Sequence, residues 1–427
     1  MEKEKNDLTR NMLIIGFMMF STFFGAGNLI FPPYLGMVSG EQWHIGFLGF
    51  LIGDVTLAIL AIIATCRFED ANKGVLTRGG KVFAILVSSA MVLCVGPFVC
   101  IPRTASTTFE ISIQPFFPHF NTVLFSIIFF ILVMFLTIRP TKVVDIVGKF
   151  LTPALLIVLA LMIVKGILTP LGDAAPSKID TVFAEGLVQG YQTFDAMGGT
   201  VVAILVMATI IEKGYGEKKA RVHIAIRSGI IAGLGLLLVY GGLCYLGSTV
   251  SMMYGADIAQ TTLLVNITNA LFGTTGQALL GAIVILACLT TAIGLTSSVA
   301  QYFSPLTKGK LKYEVVVVAV CVFSAVTSNF GVAAIVGFSV PILTLLYPAV
   351  VTMIVLSTFT DQIKNDNIYK VAGYGALVIG LIDIIDDAIG VPFMQLLPLA
   401  KFGFSWVTPV VVLGIIGALI PCKKEKV

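Results

Sequence analysis

Charged residues are scarce in this sequence. Asp, Glu, Lys and Arg make up 12% of its 427 residues, whereas soluble globular domains carry about 25%. Hydrophobic residues make up 57%. They occur in runs of about 20, the length that crosses a hydrocarbon core of about 30 Å; Ile113–Ile138 and Leu151–Leu168 are two examples. Soluble domains do not string a dozen such runs together, so the composition indicates a membrane protein with many spans.

The sequence also lacks the residue patterns of disulfide frameworks, metal sites and common enzymes. Its seven cysteines show no CxxC or other paired spacing, and most lie within apolar runs, where cysteine behaves as a small hydrophobic residue. An HExxH motif, a phosphate-binding GxxxxGK[ST] motif and a Ser/His/Asp set at membrane depth are all missing. We therefore expect no enzymatic activity, no resident cofactor and no nucleic-acid partner.

The hydrophobic runs predict about twelve transmembrane helices, centred near residues 24, 54, 95, 130, 158, 197, 236, 289, 321, 345, 380 and 412. Lys and Arg concentrate in cytoplasmic loops of membrane proteins. With the N-terminus inside, they fall in alternate loops, and the exceptions are Lys165, Lys178, Lys401 and Arg103. The prediction is a single transmembrane domain over residues 1–427 with both termini in the cytoplasm.

The first span contains signals that interrupt a helix. Residues 24–33 read FGAGNLIFPP. The two glycines free the backbone from helical angles, and the two prolines remove amide donors but are tolerated in the first turn of a helix. This pattern predicts that one helix ends near Phe24, that an unwound stretch follows, and that a second helix begins near Phe31.

The sixth span carries a similar signal, because residues 191–200 read YQTFDAMGGT, with paired glycines and an aspartate at membrane depth. Irregular backbone inside a bilayer must line a protein cavity. Two breaks five spans apart are typical of inverted-repeat transporters, since a second unit of five helices enters the membrane from the opposite side. The prediction is an all-α integral membrane fold with a 5+5 inverted repeat, over roughly 10–170 and 180–358, and extra helices over roughly 369–421. The alternative is that the glycines serve tight helix packing.

Several polar residues at membrane depth are candidates for a functional site. Thr290 and Thr291 offer adjacent hydroxyl oxygens that suit a hard cation such as sodium, although membrane hydroxyls often bond to their own helix. An intramembrane acid such as Asp195 is a functional candidate by default. Arg103 is read as a gate or as a partner of Glu110, or alternatively as an arginine that reaches the interface.

Other acidic residues give weaker signals. Asp54 lies in the middle of the second span and has no obvious partner in the sequence. Asp383, Asp386 and Asp387 cluster near one end of the eleventh span and are predicted to form an interfacial rim. A channel remains an alternative to a carrier, but channels usually need symmetric filters or charged rings.

Five segments together resemble the bacterial branched-chain amino acid transport system II carrier family (BrnQ type). They are residues 16–33, 96–106, 190–195, 287–292 and 339–348, and they are spread over most of the chain. The resemblance implies uptake of leucine, isoleucine and valine across a bacterial plasma (inner) membrane. Uptake would be coupled to sodium or, as an alternative, to protons carried by Asp195 or Glu110.

Residues 25–32 and 287–291 are more distantly similar to the ion-site segments of the sodium-coupled leucine-transporter fold. This similarity implies a sodium site formed by the carbonyls of Ser21, Phe24 and Ala287 and the hydroxyls of Thr290 and Thr291. The sixth span lacks the serine-rich unwound segment of that fold and has Asp195 instead.

A zwitterionic substrate would use both breaks. Freed amides at the positive end of a half-helix suit its carboxylate, and carbonyls of the sixth span or Asp195 suit its ammonium. Phe98 is a further lining candidate. The predicted substrate-binding residues are Phe24, Gly25, Ala26, Gly27, Asn28, Thr193, Phe194, Asp195 and Met197.

Overall fold

The structure is a computed structural model that describes residues 2–25, 27–68, 74–138 and 142–421, and the regular structure in these ranges is helical. Within them, seven helical segments are long and apolar enough to cross a membrane. The helices are α1 (Glu2–Phe23), α2 (Gly27–Ser39), α3 (Trp43–Leu51), α4 (Leu57–Thr65), α5 (Lys81–Leu93), α6 (Cys100–Thr108), α7 (Thr122–Ile138), α8 (Lys142–Leu168), α9 (Val182–Tyr191), α10 (Asp195–Glu212), α11 (Lys218–Ser248), α12 (Gln260–Leu306), α13 (Tyr313–Thr327), α14 (Gly331–Thr358), α15 (Asp366–Ile389) and α16 (Val407–Leu419).

The first span is broken, as the sequence predicts. Helix α1 ends at Phe23, but α2 begins at Gly27, four residues earlier than the predicted restart near Phe31. Pro32 and Pro33 therefore lie inside α2 rather than in its first turn. Because a proline donates no amide to the carbonyl four residues before it, the second turn of α2 has lost two helical hydrogen bonds. Ala26 lies outside the described residues.

The sixth span is also broken, but not at its paired glycines. Helix α9 ends at Tyr191 and α10 begins at Asp195, so only three residues separate them. The chain turns at Phe194, whose φ of 68° is left-handed and costly for a bulky residue. Gly198 and Gly199 lie inside α10, and a Cβ on Gly199 would lie 3.1 Å from Cα of Ala58 in α4. At Gly199 the packing interpretation is therefore the correct one.

The half-helices α2 and α9 are held by backbone-to-backbone crossings. A Cβ on Gly36 would lie 1.8 Å from the carbonyl oxygen of Cys244 in α11, and one on Gly186 would lie 1.9 Å from the carbonyl oxygen of Gly46 in α3. Only glycine allows helices to approach this closely. Helices α2 and α9 are thus fixed against α11 and α3, on the side of the breaks opposite to the start of α1.

Three wide, π-helical turns interrupt the second and third spans, at Ile52–Thr56, Cys94–Phe98 and Phe109–Ile113. Turns of this kind occur frequently at functional sites. The first contains Asp54 and the third contains Glu110, so both acids project from helices whose regular bonding is interrupted.

Loops that the sequence assigns to the same side of the membrane meet in space. Arg67, which follows α4, lies 3.3 Å from the carboxylate of Asp361 in the α14–α15 loop, and Lys218 at the start of α11 donates to the same carboxylate. The hydrogen bond from Lys218 is the main cause that holds the pKa of Asp361 below its usual value. Arg78 pairs with Asp366 at 2.6 Å. These contacts agree with the predicted alternation of the loops.

Candidate functional site

A cavity of about 170 Å³ lies between the two breaks. Its walls come from four parts of the chain that are distant from one another in sequence: the break in the first span, the third span, the break in the sixth span with the start of α10, and α12. The lining residues are Ser21, Thr22, Phe23, Phe24, Gly25, Gly27, Asn28, Val95, Cys100, Arg103, Thr104, Thr193, Phe194, Asp195, Gly198, Val202, Thr291 and Leu295. We call this space the central cavity.

Of the predicted substrate-binding residues that the structure describes, all but Met197 line the central cavity, and the further candidate Phe98 does not line it either. Met197 is fully buried and contacts a smaller neighbouring space of about 80 Å³. Phe98 packs against Phe323 of α13, with ring centroids 5.5 Å apart. The prediction that Phe98 lines the site is therefore wrong, because the wide turn at Cys94–Phe98 directs it toward α13.

Asn28 is the centre of the polar network beside the cavity. Its Nδ2 donates to Oδ2 of Asp195 at 2.8 Å, to the hydroxyl of Tyr240 at 2.7 Å and to Oδ2 of Asp54 at 3.3 Å. The Tyr240 hydroxyl in turn donates to the carbonyl oxygen of Phe23, the last residue of α1, at 3.3 Å. Tyr240 thus connects the two halves of the first span.

Asp54 connects the second span to the sixth-span break. The hydroxyl of Thr193 donates to its Oδ1 at 2.9 Å, and the side chain is 1% exposed. Sequence reasoning found no partner for Asp54 and did not consider Tyr240. The sequence signal for Asp54 was an acidic residue in the middle of a span. Tyr240 had no such signal, because its hydroxyl joins the polar network only through contacts with residues distant in sequence.

Arg103 lines the central cavity and is buried, with 4% of its surface exposed. Its Nη1 donates to the carbonyl oxygen of Gln192 at 2.6 Å, and its Nη2 makes a longer contact of 3.4 Å to that of Thr193. The guanidinium carbon lies 5.4 Å and 5.9 Å from the ring centroids of Phe31 and Phe194. Arg103 therefore satisfies carbonyls that the sixth-span break has freed.

The predicted pairing of Arg103 with Glu110 is wrong. Glu110 accepts hydrogen bonds from the hydroxyl of Thr261 in α12 and, at 2.9 Å, from the backbone amide of Val332 at the start of α14. A spacing of seven residues places two side chains on one face only in a regular helix. The wide turn at Phe109–Ile113 contains Glu110 and moves it off that face.

The residues of the predicted sodium site are only partly brought together. Ser21, Phe24 and Thr291 line the central cavity, while Ala287 and Thr290 are not among its lining residues. The Thr290 hydroxyl shares its one hydrogen between the carbonyls of Leu286 and Ala287 in its own helix, at 3.1 and 3.0 Å. The side chain of Ser21 likewise donates to the carbonyl of Met18, at 3.0 Å.

The three aspartates near the end of α15, which were predicted to form an interfacial rim, do not all lie at the surface. Asp386 is buried, and its carboxylate accepts the backbone amide of Met394 at 2.7 Å, which anchors the loop after α15. Asp383 is partly exposed and Asp387 is exposed. The rim prediction therefore fits Asp383 and Asp387 but not Asp386.

Two interrupted helices that meet at a cavity are the arrangement of the leucine-transporter fold of integral membrane proteins. The solved structure of Mhp1 in an inward-facing conformation is similar, with a TM-score of 0.63, 13% identity and coverage of 97% of this chain and 92% of that chain. The structure of MhsT with L-phenylalanine has a TM-score of 0.52 at 14% identity and covers 96% of this chain and 98% of that one. At these identities the likeness shows the fold alone.

The chain belongs to the family described as branched-chain amino acid transport protein, whose model matches residues 8–424. It is 37% identical to the branched-chain amino acid permease BraB of Bacillus subtilis, over 96% of this chain and 94% of that protein. It is 33% identical to the permease BrnQ of Salmonella typhimurium, over 96% and 95%. The protein is thus a multi-pass transporter and not an enzyme.

Proposed function

We propose that the protein imports leucine, isoleucine and valine together with sodium, by alternating access across a bacterial plasma membrane. The central cavity between the two broken spans carries this proposal, because it joins freed backbone groups, charged side chains and apolar walls in one space. The named substrates of the relatives give the substrate class.

The cavity walls suit a small apolar amino acid. Freed amides at the start of α2 and the carboxylate of Asp195 face the same space as the rings of Phe24 and Phe194. An apolar pocket separates side chains that differ by one methylene by only about 1–3 kcal/mol. We therefore expect one carrier to accept leucine, isoleucine and valine.

The cavity is more open on the side where α1 begins. Ser21 and Thr22, which line the cavity at the end of α1, are exposed, whereas the lining residues Gly27 and Asn28 at the start of α2 are buried. With both termini in the cytoplasm, this state is inward-facing. Alternating access then requires α1 and α10 to close over the cavity while the opposite side opens.

Sodium coupling is tested most simply by imposing ion gradients separately. We expect purified protein in proteoliposomes to accumulate leucine when an inward sodium gradient is the only driving force. One sodium with a neutral zwitterion carries one net charge, so an inside-negative potential adds about 2.3 kcal/mol per 100 mV. Accumulation that is indifferent to sodium would contradict sodium coupling, and equilibration without accumulation would indicate a passive pore.

Proton coupling in the same fold is the alternative, and the hydrogen-bond count at Asn28 favours it. A carboxamide nitrogen has two hydrogens, yet Nδ2 of Asn28 faces three acceptors, on Asp54, Asp195 and Tyr240. A proton on one of the two carboxyl groups supplies the missing donor. Glu110 is a poor proton carrier for this site because it lies outside the central cavity. Leucine accumulation driven by a proton gradient without sodium would establish this alternative.

Changing both predicted sodium-binding hydroxyls should weaken the response to sodium. We expect Thr290→Ala combined with Thr291→Ala to raise the sodium concentration for half-maximal leucine uptake by about tenfold or more, which corresponds to a loss of at least about 1.4 kcal/mol of sodium binding. Thr344→Ala is the matched control, because this partly exposed threonine of α14 lies outside the central cavity and donates to the carbonyl of Val340 in its own helix. An unchanged sodium response in the double variant would refute the predicted site.

A further inference from the structure

Arg103 is a buried cation that makes no direct ion pair, although Asp195, which lines the same cavity, acts on it electrostatically from a longer distance. Among the described residues, the ion pairs within 4.0 Å join Arg67 and Lys218 to Asp361 and Arg78 to Asp366, and none involves Arg103. Burying an ionised group without a counter-charge is costly. An anion from outside the chain that contacts the guanidinium directly would offset part of this cost.

The guanidinium also has donors to spare. A guanidinium carries five N–H groups in a planar fork. Nη1 makes a short bond to the carbonyl of Gln192, but Nη2 has only the 3.4 Å contact to Thr193 and a 3.9 Å contact to the sulfur of Cys100. Both contacts of Nη2 are therefore longer than the hydrogen bond of Nη1.

Nη2 is also the nitrogen closest to the start of α2. A Cβ on Gly27 would lie 2.7 Å from Nη2 and 3.1 Å from the guanidinium carbon, so the absence of a side chain at Gly27 makes room for the arginine. Gly27 is the first residue of α2. The first amides of a helix have no partner within the helix and attract anions. The Arg103 guanidinium and the positive end of α2 therefore lie next to each other at the central cavity.

The central cavity is also bordered by acidic side chains. Asp195 lines the same cavity and Asp54 is joined to it through Asn28. A zwitterion fits between a guanidinium and a carboxylate in one orientation only. The arrangement would hold the carboxylate of an amino acid near Arg103 and its ammonium near Asp195.

We infer that Arg103 binds the α-carboxylate of the transported amino acid through Nη2, together with the first amides of α2. The inference rests on the proposed function and extends it, because it assigns the charge that selects amino acids over amines and amino-acid amides. Arg103 then makes two kinds of contact: Nη1 donates to the carbonyl of Gln192 in the sixth-span break, and Nη2 binds the substrate carboxylate.

The test compares leucine with L-leucinamide, in which a neutral amide replaces the carboxylate. Equilibrium binding of both to the purified full-length protein is measured for the wild type, Arg103→Gln and Arg103→Lys. We expect Arg103→Gln to weaken leucine binding by about 10- to 100-fold and leucinamide binding by less than about threefold, since a hydrogen bond to a charged group contributes more than a neutral one. Arg103→Lys, which keeps the charge but not the fork, should fall between.

The controls separate this role from a purely structural one. Arg227→Gln, which changes an exposed arginine of α11, should leave both affinities unchanged. Thermal unfolding and size-exclusion profiles show whether each variant is folded, and Arg103→Lys serves if Arg103→Gln is not. Equal weakening of both ligands, or unchanged leucine binding in a folded variant, would overturn the inference. Absence of leucine binding by the wild type would instead refute the proposed function, and the inference with it.

Discussion

Replacing Asp195 with asparagine is expected to reduce concentrative leucine uptake by at least about 100-fold, because charged hydrogen bonds in a buried network contribute up to about 3 kcal/mol each. Asp195 faces the central cavity and accepts from Asn28 at 2.8 Å. The change removes a charge that the substrate ammonium or the coupling cation needs. Initial rates of uptake into proteoliposomes, normalised to the amount of inserted protein, measure the effect.

Asp54→Asn should have a comparable effect on concentrative uptake, because Asp54 joins Asn28 to Thr193 at the sixth-span break. Asp387→Asn is the matched control, since Asp387 is exposed on α15 and lies far along the chain from the cavity-lining residues. Exchange of internal for external leucine, without any gradient, separates two roles. Exchange that survives in either variant means that the lost carboxylate serves the cation, and lost exchange means that it serves the amino acid.

Normal concentrative uptake by both aspartate variants would contradict the assignment of the polar network to transport. Reduced uptake by Asp387→Asn to the same degree would show that the effect is not specific to the cavity.

Replacing Gly36 with alanine is expected to destabilise the folded protein by at least about 3 kcal/mol, the upper end of the usual cost of overpacking. The new Cβ would lie 1.8 Å from the carbonyl oxygen of Cys244, and backbone cannot move aside as a flexible side chain can. Helix α2 would have to leave α11, and its displacement would carry Gly27 and Asn28 with it. A lower thermal unfolding temperature in detergent, with loss of the monodisperse fraction, is the expected observation.

Gly337→Ala is the control for the glycine change. A Cβ at Gly337 in α14 meets no atom within 4 Å, so the substitution should be neutral or slightly stabilising, because alanine has the higher helix propensity. A Gly36→Ala protein as stable as the wild type would mean that the α2–α11 crossing is looser than the structure shows.

The two broken spans were predictable because their signals are local. Glycine and proline change the backbone at their own positions, so residues 24–33 indicated a break before any tertiary contact was known. The restart of α2 at Gly27 was missed because prolines are tolerated beyond the first turn when neighbouring groups satisfy the freed carbonyls. The turn at Phe194 was missed because no propensity favours a left-handed phenylalanine.

Site residues could be predicted where a polar or charged side chain at membrane depth is itself the signal. They could not be predicted where the role depends on contacts with residues distant in sequence. Asn28 and Asp195 could be predicted as site residues because each is a polar or charged side chain within an apolar span. Tyr240 belongs to α11, more than 200 residues from Asn28 along the chain, and its role depends on where α11 packs. Arg103 was identified as unusual, but its partner was wrong because the wide turn that displaces Glu110 has no clear sequence signal.

The central claim is that the amino acid binds between the unwound segments of the first and sixth spans. An experimental structure determined with saturating leucine and sodium tests this claim most directly. We expect density for leucine within the central cavity, in contact with the start of α2 at Gly27 and with the sixth-span segment at residues 192–195. Leucine bound elsewhere, or first and sixth helices that run through without interruption, would contradict the account.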